Sequence, residues 1–146
     1  MRDSKIIVGL AGLFLTFIVI YFFNEDSLPP RTPRKIARQI SGLDISRQTE
    51  LEKPIDVWAP NGDGEVLVKG KLTDNELNDL IRNAKQENFK TLPISNSLGQ
   101  ALIPDDLLKG KNGLYKLEID QIDPRGYELT IIDIDTKELI TYLSVL

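Results

Sequence analysis

An uncharged run of eighteen residues, Ile6 to Phe23, precedes a chain in which apolar and polar positions are otherwise mixed. Leu, Ile, Val and Phe there surround Gly9, Ala11, Gly12 and Thr16. At about 1.5 Å of rise per residue the run predicts a helix of roughly 27 Å, enough to cross a hydrocarbon core with little tilt. Pro29, Pro30 and Pro33 then break any helix and predict an extended spacer. From Pro33 to Ile40 the pattern turns helical again, with Pro at the start and Gly42 just beyond the end. Ile36 and Ile40 share one face of that short basic helix, and Arg34, Lys35 and Arg38 surround the rest. Two turns give a weak hold on lipid headgroups, so the two isoleucines are expected to dock on the domain instead.

From residue 51 onward the periodicities predict a small α+β domain. Ile55–Ala59 and Glu65–Leu72 read as strands on either side of Pro60-Asn61-Gly62-Asp63-Gly64, a turn sequence. Thr73-Asp74-Asn75-Glu76 is a capping box, and Leu77, Leu80, Ile81 and Ala84 form the apolar stripe of a helix reaching about Asn88. Residues 90–113 lack a period, apart from one helical turn at Pro104–Lys109 closed by Gly110. The last third is a three-stranded meander. Tyr115, Leu117 and Ile119 alternate with charged residues, Tyr127 to Asp135 forms the middle strand, and Leu139 to Leu146 forms the last. In the middle strand Tyr127, Leu129 and Ile131 face one way and Ile132 and Ile134 the other, which predicts cover on both faces or a bulge. The expected architecture is thus an N-terminal single transmembrane helix and a domain with an antiparallel sheet of about five strands and one principal packed helix. Its divisions fall at 1–23 (tail and anchor), 24–50 (Pro-rich linker and short basic helix) and 51–146 (soluble domain).

The apolar run reads as an uncleaved signal anchor. It exceeds the roughly 7–15 residues of a signal-peptide core, and Asn24-Glu25-Asp26-Ser27-Leu28 offers no small-x-small cleavage site. Arg2 and Lys5 lie before it, and Glu25 and Asp26 follow. More basic groups follow than precede the run (Arg31, Arg34, Lys35, Arg38), but the nearest flanks favour a cytoplasmic amino terminus. The expectation is a single-pass protein of the cell membrane with its soluble domain outside the cytoplasm, its partners the lipid bilayer and other membrane protein subunits. Gly9, Gly12 and Thr16, three and four residues apart, form a candidate stripe for helix–helix contact in the membrane.

Composition removes whole classes of chemistry. The chain has no Cys and no His. Disulfides, thiolate nucleophiles, Ser-His-Asp triads and imidazole metal sites are therefore excluded within it. From Leu51 onward there are 17 acidic and 11 basic side chains, a net charge of −6. That balance argues against non-specific nucleic-acid binding, which needs a basic surface. It is compatible with a basic protein partner, and ordinary solubility charge accounts for it more simply.

Two places could carry chemistry. Asn61-Gly62-Asp63-Gly64 echoes the centre of an EF-hand loop, but Ala59 and Gly70 occupy the positions of its first and last carboxylates, so it reads as a hairpin turn. Asp120, Asp123, Asp133 and Asp135 sit at strand ends and form a candidate acidic surface; paired carboxylates can bind metal or do acid–base work, while strand-end Asp residues more commonly cap turns. No nucleophile motif or Gly-rich phosphate loop accompanies them, so no catalytic residue, metal or cofactor is expected.

The segment Tyr127-Glu128-Leu129-Thr130-Ile131-Ile132-Asp133-Ile134-Asp135-Thr136-Lys137-Glu138-Leu139-Ile140 resembles the second hairpin of PepSY-type domains, a strand, an Asp-x-x-Thr-Gly turn and a strand. Lys137 stands where that pattern has Gly, and the resemblance extends little beyond the hairpin. The functional expectation is a non-catalytic accessory or assembly subunit of a membrane complex. The alternatives are a tethered inhibitor or immunity-type protein binding a basic partner and, third, a carboxylate-dependent hydrolase.

Overall fold

The structure, a computed structural model, describes residues 12–18, 31–95 and 102–145. The transmembrane reading of Ile6–Phe23 is corrected by it: among the described residues no helix is long and apolar enough to cross a membrane. Residues 12–18 are helical. The signal-anchor reading and the single-pass reading, both built on that span, are corrected with it. The rest of the run, Gly9 included, lies outside the described residues, as do residues 24–30 of the spacer expected over 24–33.

A short helix, α1 (Pro33–Ser41), opens the packed body. Thr32 caps it by accepting the Lys35 N–H at 3.3 Å, Pro33 fills the first turn, and Gly42 ends it in the left-handed conformation at φ 70°. Ile36, Ala37 and Ile40 are buried against the sheet. The basic residues of α1 hold the chain that follows. Arg34 donates to the carbonyls of Ser46 and Arg47 at 3.0 and 2.7 Å, and Arg38 pairs with Asp44 at 3.3 Å. The packed unit therefore begins well before residue 51, and Leu43 and Ile45 belong to its core.

Among the described residues seven strands follow, all antiparallel: β1 (Glu50–Leu51), β2 (Ile55–Trp58), β3 (Gly64–Lys71), β4 (Lys90–Thr91), β5 (Gly113–Ile119), β6 (Tyr127–Asp133) and β7 (Glu138–Val145). Their order is β1-β3-β7-β6-β5-β4, and β2 pairs with β3 on the same side as β1. The α+β class with an antiparallel sheet stands. Seven strands replace the expected five because β1 and β4 have two residues each, too few to show a period.

The second principal helix, α2 (Asp74–Ala84), carries the complete capping box: Glu76 accepts the Thr73 N–H at 2.9 Å, and the Thr73 hydroxyl accepts the Glu76 N–H at 3.4 Å. It stops four residues short of the expected end, as the chain turns through residues 85–88 with Asn88 at φ 59°. Leu77, Leu80 and Ala84 are buried and Ile81 is half-buried.

Two cores enclose the sheet. On one face α1 and α2 cover Val66, Val68, Ile132 and Leu139. On the other, Ile94, Ile103 and Leu107 from the irregular connection cover Tyr115, Leu129, Ile131 and Tyr142. The expected turn in that connection is the 3-10 turn Leu107–Lys109. β6 lies between the two cores, which explains its apolar residues on both sides. In the β6–β7 turn Lys137 adopts φ 52°, a left-handed conformation that glycine would reach without strain.

Candidate functional site: an open edge strand

β2 forms a hairpin with β3 in the register Ile55↔Leu67, Asp56↔Val66, Val57↔Glu65 and Trp58↔Gly64. The turn between them is closed by Ala59 N–H to Asp63 O at 2.7 Å and Gly62 N–H to Ala59 O at 3.0 Å, with Gly62 at φ 95°. Asn61 donates to the Asp63 carboxylate at 2.6 Å. The segment that echoes an EF-hand loop is thus a hairpin turn held by its own polar groups.

Hydrogen bonding in an antiparallel pair alternates residue by residue. Because Ala59 bonds to Asp63, the residues in step with it, Val57 and Ile55, give their N–H and C=O groups to β3. Asp56 and Trp58 direct theirs to the other side, where no described strand pairs with β2. Pro54 and Pro60, neither with an N–H, bracket the strand.

The side chains of this edge are strongly exposed. Ile55, Val57 and Trp58 keep 58%, 63% and 43% of their surface in solvent. Trp58 nevertheless has a fixed place. A Cβ on Gly64 would lie 2.5 Å from the indole ring, so only glycine lets the ring rest on the β3 backbone. The indole N–H donates to the Asp56 carboxylate. The Arg31 guanidinium stands 5.9 Å over the ring centroid and 3.7 Å from that same carboxylate. An apolar, pre-ordered edge results, with one cation and one anion on its helix side.

The four candidate aspartates do not converge. Asp120 and Asp123 lie in the β5–β6 connection, and Asp133 and Asp135 at the β6–β7 turn, at opposite ends of a seven-residue strand about 20 Å long. Asp120, Asp123 and Asp133 each serve their own turn, and Asp135 ties its turn to the chain before β5. Asp120 accepts the Ile122 N–H at 2.7 Å, and Asp133 accepts the Thr136 N–H at 2.9 Å. Asp135 accepts from the Asn112 amide at 3.0 Å. Asp123 accepts the Arg125 N–H at 3.0 Å and its guanidinium at 3.0 and 2.6 Å, which holds the Asp123 carboxyl down at about 2. Of the proposed helix-contact stripe, Gly12 and Thr16 are described, and the Thr16 hydroxyl donates to the Gly12 carbonyl at 2.9 Å within its own helix.

At the Asp120–Asp123 end two glutamates join the acidic group. Glu118 and Glu128 face each other directly across β5 and β6. With Asp120 and Asp123 they line an open hollow of about 320 Å³. Burial first, and then the Glu118 charge, push the Glu128 carboxyl above its ordinary value. A raised carboxyl costs stability above its folded pKa, and that cost is relieved as pH falls through it. Glu128→Gln is accordingly expected to stabilise the protein by about 0.2–1 kcal/mol at neutral pH, as for other cross-strand pairs. In urea unfolding the gain should shrink as the pH is lowered into the carboxylate range; a gain independent of pH would assign it to packing.

On the opposite face of the sheet Tyr127 and Tyr142 lie with ring centroids 5.5 Å apart, and the Tyr127 hydroxyl donates to Leu102 O at 3.1 Å. Burial, more than neighbouring charge, pushes the pKa of both phenols above its ordinary value and keeps them neutral. They act as hydrogen-bonded core groups.

The open edge is the functional feature that hydrophobic periodicity missed. Alternation identifies Ile55–Ala59 as a strand without saying which of its sides is paired. The signal available was the pair Pro54 and Pro60, since prolines bracketing a short strand are characteristic of sheet edges. Comparison with known proteins finds no matching family, no matching relative and no matching solved structure.

Proposed function

We propose that the chain is a non-catalytic accessory or assembly subunit that binds other protein through the open edge of β2. The observation that carries this reading is an edge strand with Ile55, Val57 and Trp58 exposed and two residues of backbone donors and acceptors directed outward. Exposed, hydrophobic strand edges template pairing with another chain, and main-chain hydrogen bonds then supply affinity while alternate side chains supply specificity. A photoreactive side chain at Val57 of the full-length protein in its own cells should yield discrete protein adducts, whereas one at the exposed Asp79 of α2 should not. Equal labelling from the two positions would overturn the assignment.

A second reading has an observation of its own. The Glu118–Glu128 pair together with Asp120 and Asp123 leaves one end of the sheet acidic, with Lys116 and Arg125 each engaged within it. An inhibitor or immunity-type protein would use such a surface to attract a basic partner, with association strongly weakened by salt. The hydrolase reading has less support, because the two aspartate pairs stand at opposite ends of β6.

A further inference from the structure

Resting on the edge-strand reading above, we infer that the occupant of the β2 edge is β2 of a second copy of this chain, paired antiparallel about a twofold axis through Val57. Only Asp56 and Trp58 offer outward N–H groups, and Pro54 and Pro60 limit the pairing to the residues between them. Three twofold registers bring these residues into play. Setting Asp56 opposite Asp56 of the second copy places like charges face to face, which is destabilising. Setting Trp58 opposite its own copy places Asp56 opposite Pro60, which has no N–H to give, so the Asp56 carbonyl of each strand is left without a partner. Setting Asp56 opposite Trp58 uses both donors and both acceptors of each strand, four hydrogen bonds in all by the antiparallel rule.

That third register also matches the side chains. Val57 meets Val57 of the second copy in a non-hydrogen-bonded pair, the closer of the two kinds. Ile55 meets Ala59 on the same face, so the exposed Ile55 and Val57 of both strands form one apolar stripe. On the other face Asp56 approaches Trp58 of the second copy, whose ring is covered by its own Arg31. Each carboxylate then has a guanidinium from both copies beside it, and no like charges meet. The two sheets join into one that is continuous across the axis. A symmetric contact of this kind is self-complementary, and once β2 is paired that edge offers no template for a further chain.

The chain contains no cysteine, so single cysteines report the register directly. In the proposed pairing the Cα atoms at position 57 are about 4.5 Å apart, within the span of a disulfide. Position 56 lies two residues out of step with its own copy, about 7 Å along the strand, and cannot be bridged. Under mild oxidation the full-length Val57→Cys protein should form disulfide-linked dimers at least tenfold faster than Asp56→Cys or Trp58→Cys. Adding Asp56→Pro removes an outward N–H without touching the β3 ladder, and should bring Val57→Cys down to the rate of the other two with the thermal midpoint preserved. If Asp56→Pro unfolds the protein, the comparison of the three single cysteines decides alone. Equal rates at the three positions, or a maximum at 56 or 58, would overturn the pairing. Photo-adducts at Val57 to a different protein, without the Val57→Cys dimer, would overturn the second copy as occupant while leaving the edge-strand function in place.

Discussion

Ile36→Ala is expected to destabilise the protein by ~2–5 kcal/mol, the range for truncating a large buried aliphatic side chain. Ile36 is 4% exposed and its neighbour Ala37 is fully buried, so α1 already rests closely on its surroundings and cannot close the gap by sinking further. Collapse from the sheet side is resisted as well. α1 lies across β3, β6 and β7, which are tied to one another by continuous ladders. Gln39→Ala, on the exposed side of the same helix, should change stability by no more than ~0.5 kcal/mol. Urea unfolding of the full chain followed by tryptophan fluorescence and circular dichroism measures both. Equal and small effects at 36 and 39 would mean that α1 is only appended to the domain, as a boundary at residue 51 implies.

The second large effect concerns β6. Leu129 and Ile132 are both fully buried, yet they belong to different cores, one under the irregular connection and one under the helices. Truncation of either to alanine should cost ~2–5 kcal/mol. In a sheet with one wet face, one of the two would be nearly free of cost. The two cavities open on opposite sides of the sheet and share no partners within one core, so the effects should add in the double variant to within about 0.5 kcal/mol. A marked shortfall from additivity would show that removing one layer already loosens the other.

The local chemistry of the chain was legible residue by residue. Thr73 and Glu76 announce the capping box, Gly42 the end of α1, and Asn61-Gly62 the hairpin turn, because each depends on neighbours within a few positions. The strands β5, β6 and β7 follow from alternation, and the double cover of β6 follows from its apolar residues on both sides. By the same logic Ile36 and Ile40 identify the buried stripe of α1.

Other features depend on distance and had no local signature. The run from Ile6 to Phe23 has the composition of a span, yet composition reports only that the residues are apolar. The helix described within it covers residues 12–18, and among the described residues no helix reaches membrane length. Asp120, Asp123, Asp133 and Asp135 share a type and lie close in sequence, but β6 carries the second pair to the other end of the sheet. Glu118 and Glu128, ten positions apart, face each other only because the β5–β6 register sets them opposite.

The sequence by itself determined the α+β class, the helix caps, the turns and the exclusion of thiol and imidazole chemistry, since these rest on residue identity and short-range periodicity. Tertiary structure alone decided that the aspartates part and that no described strand pairs with the outer side of β2. The pairing of β3 with β1 and β7 joins residues about twenty to eighty positions apart. A strand carries the same alternation whether one edge or both are paired, because its side chains point to the faces of the sheet and its hydrogen bonds to the edges.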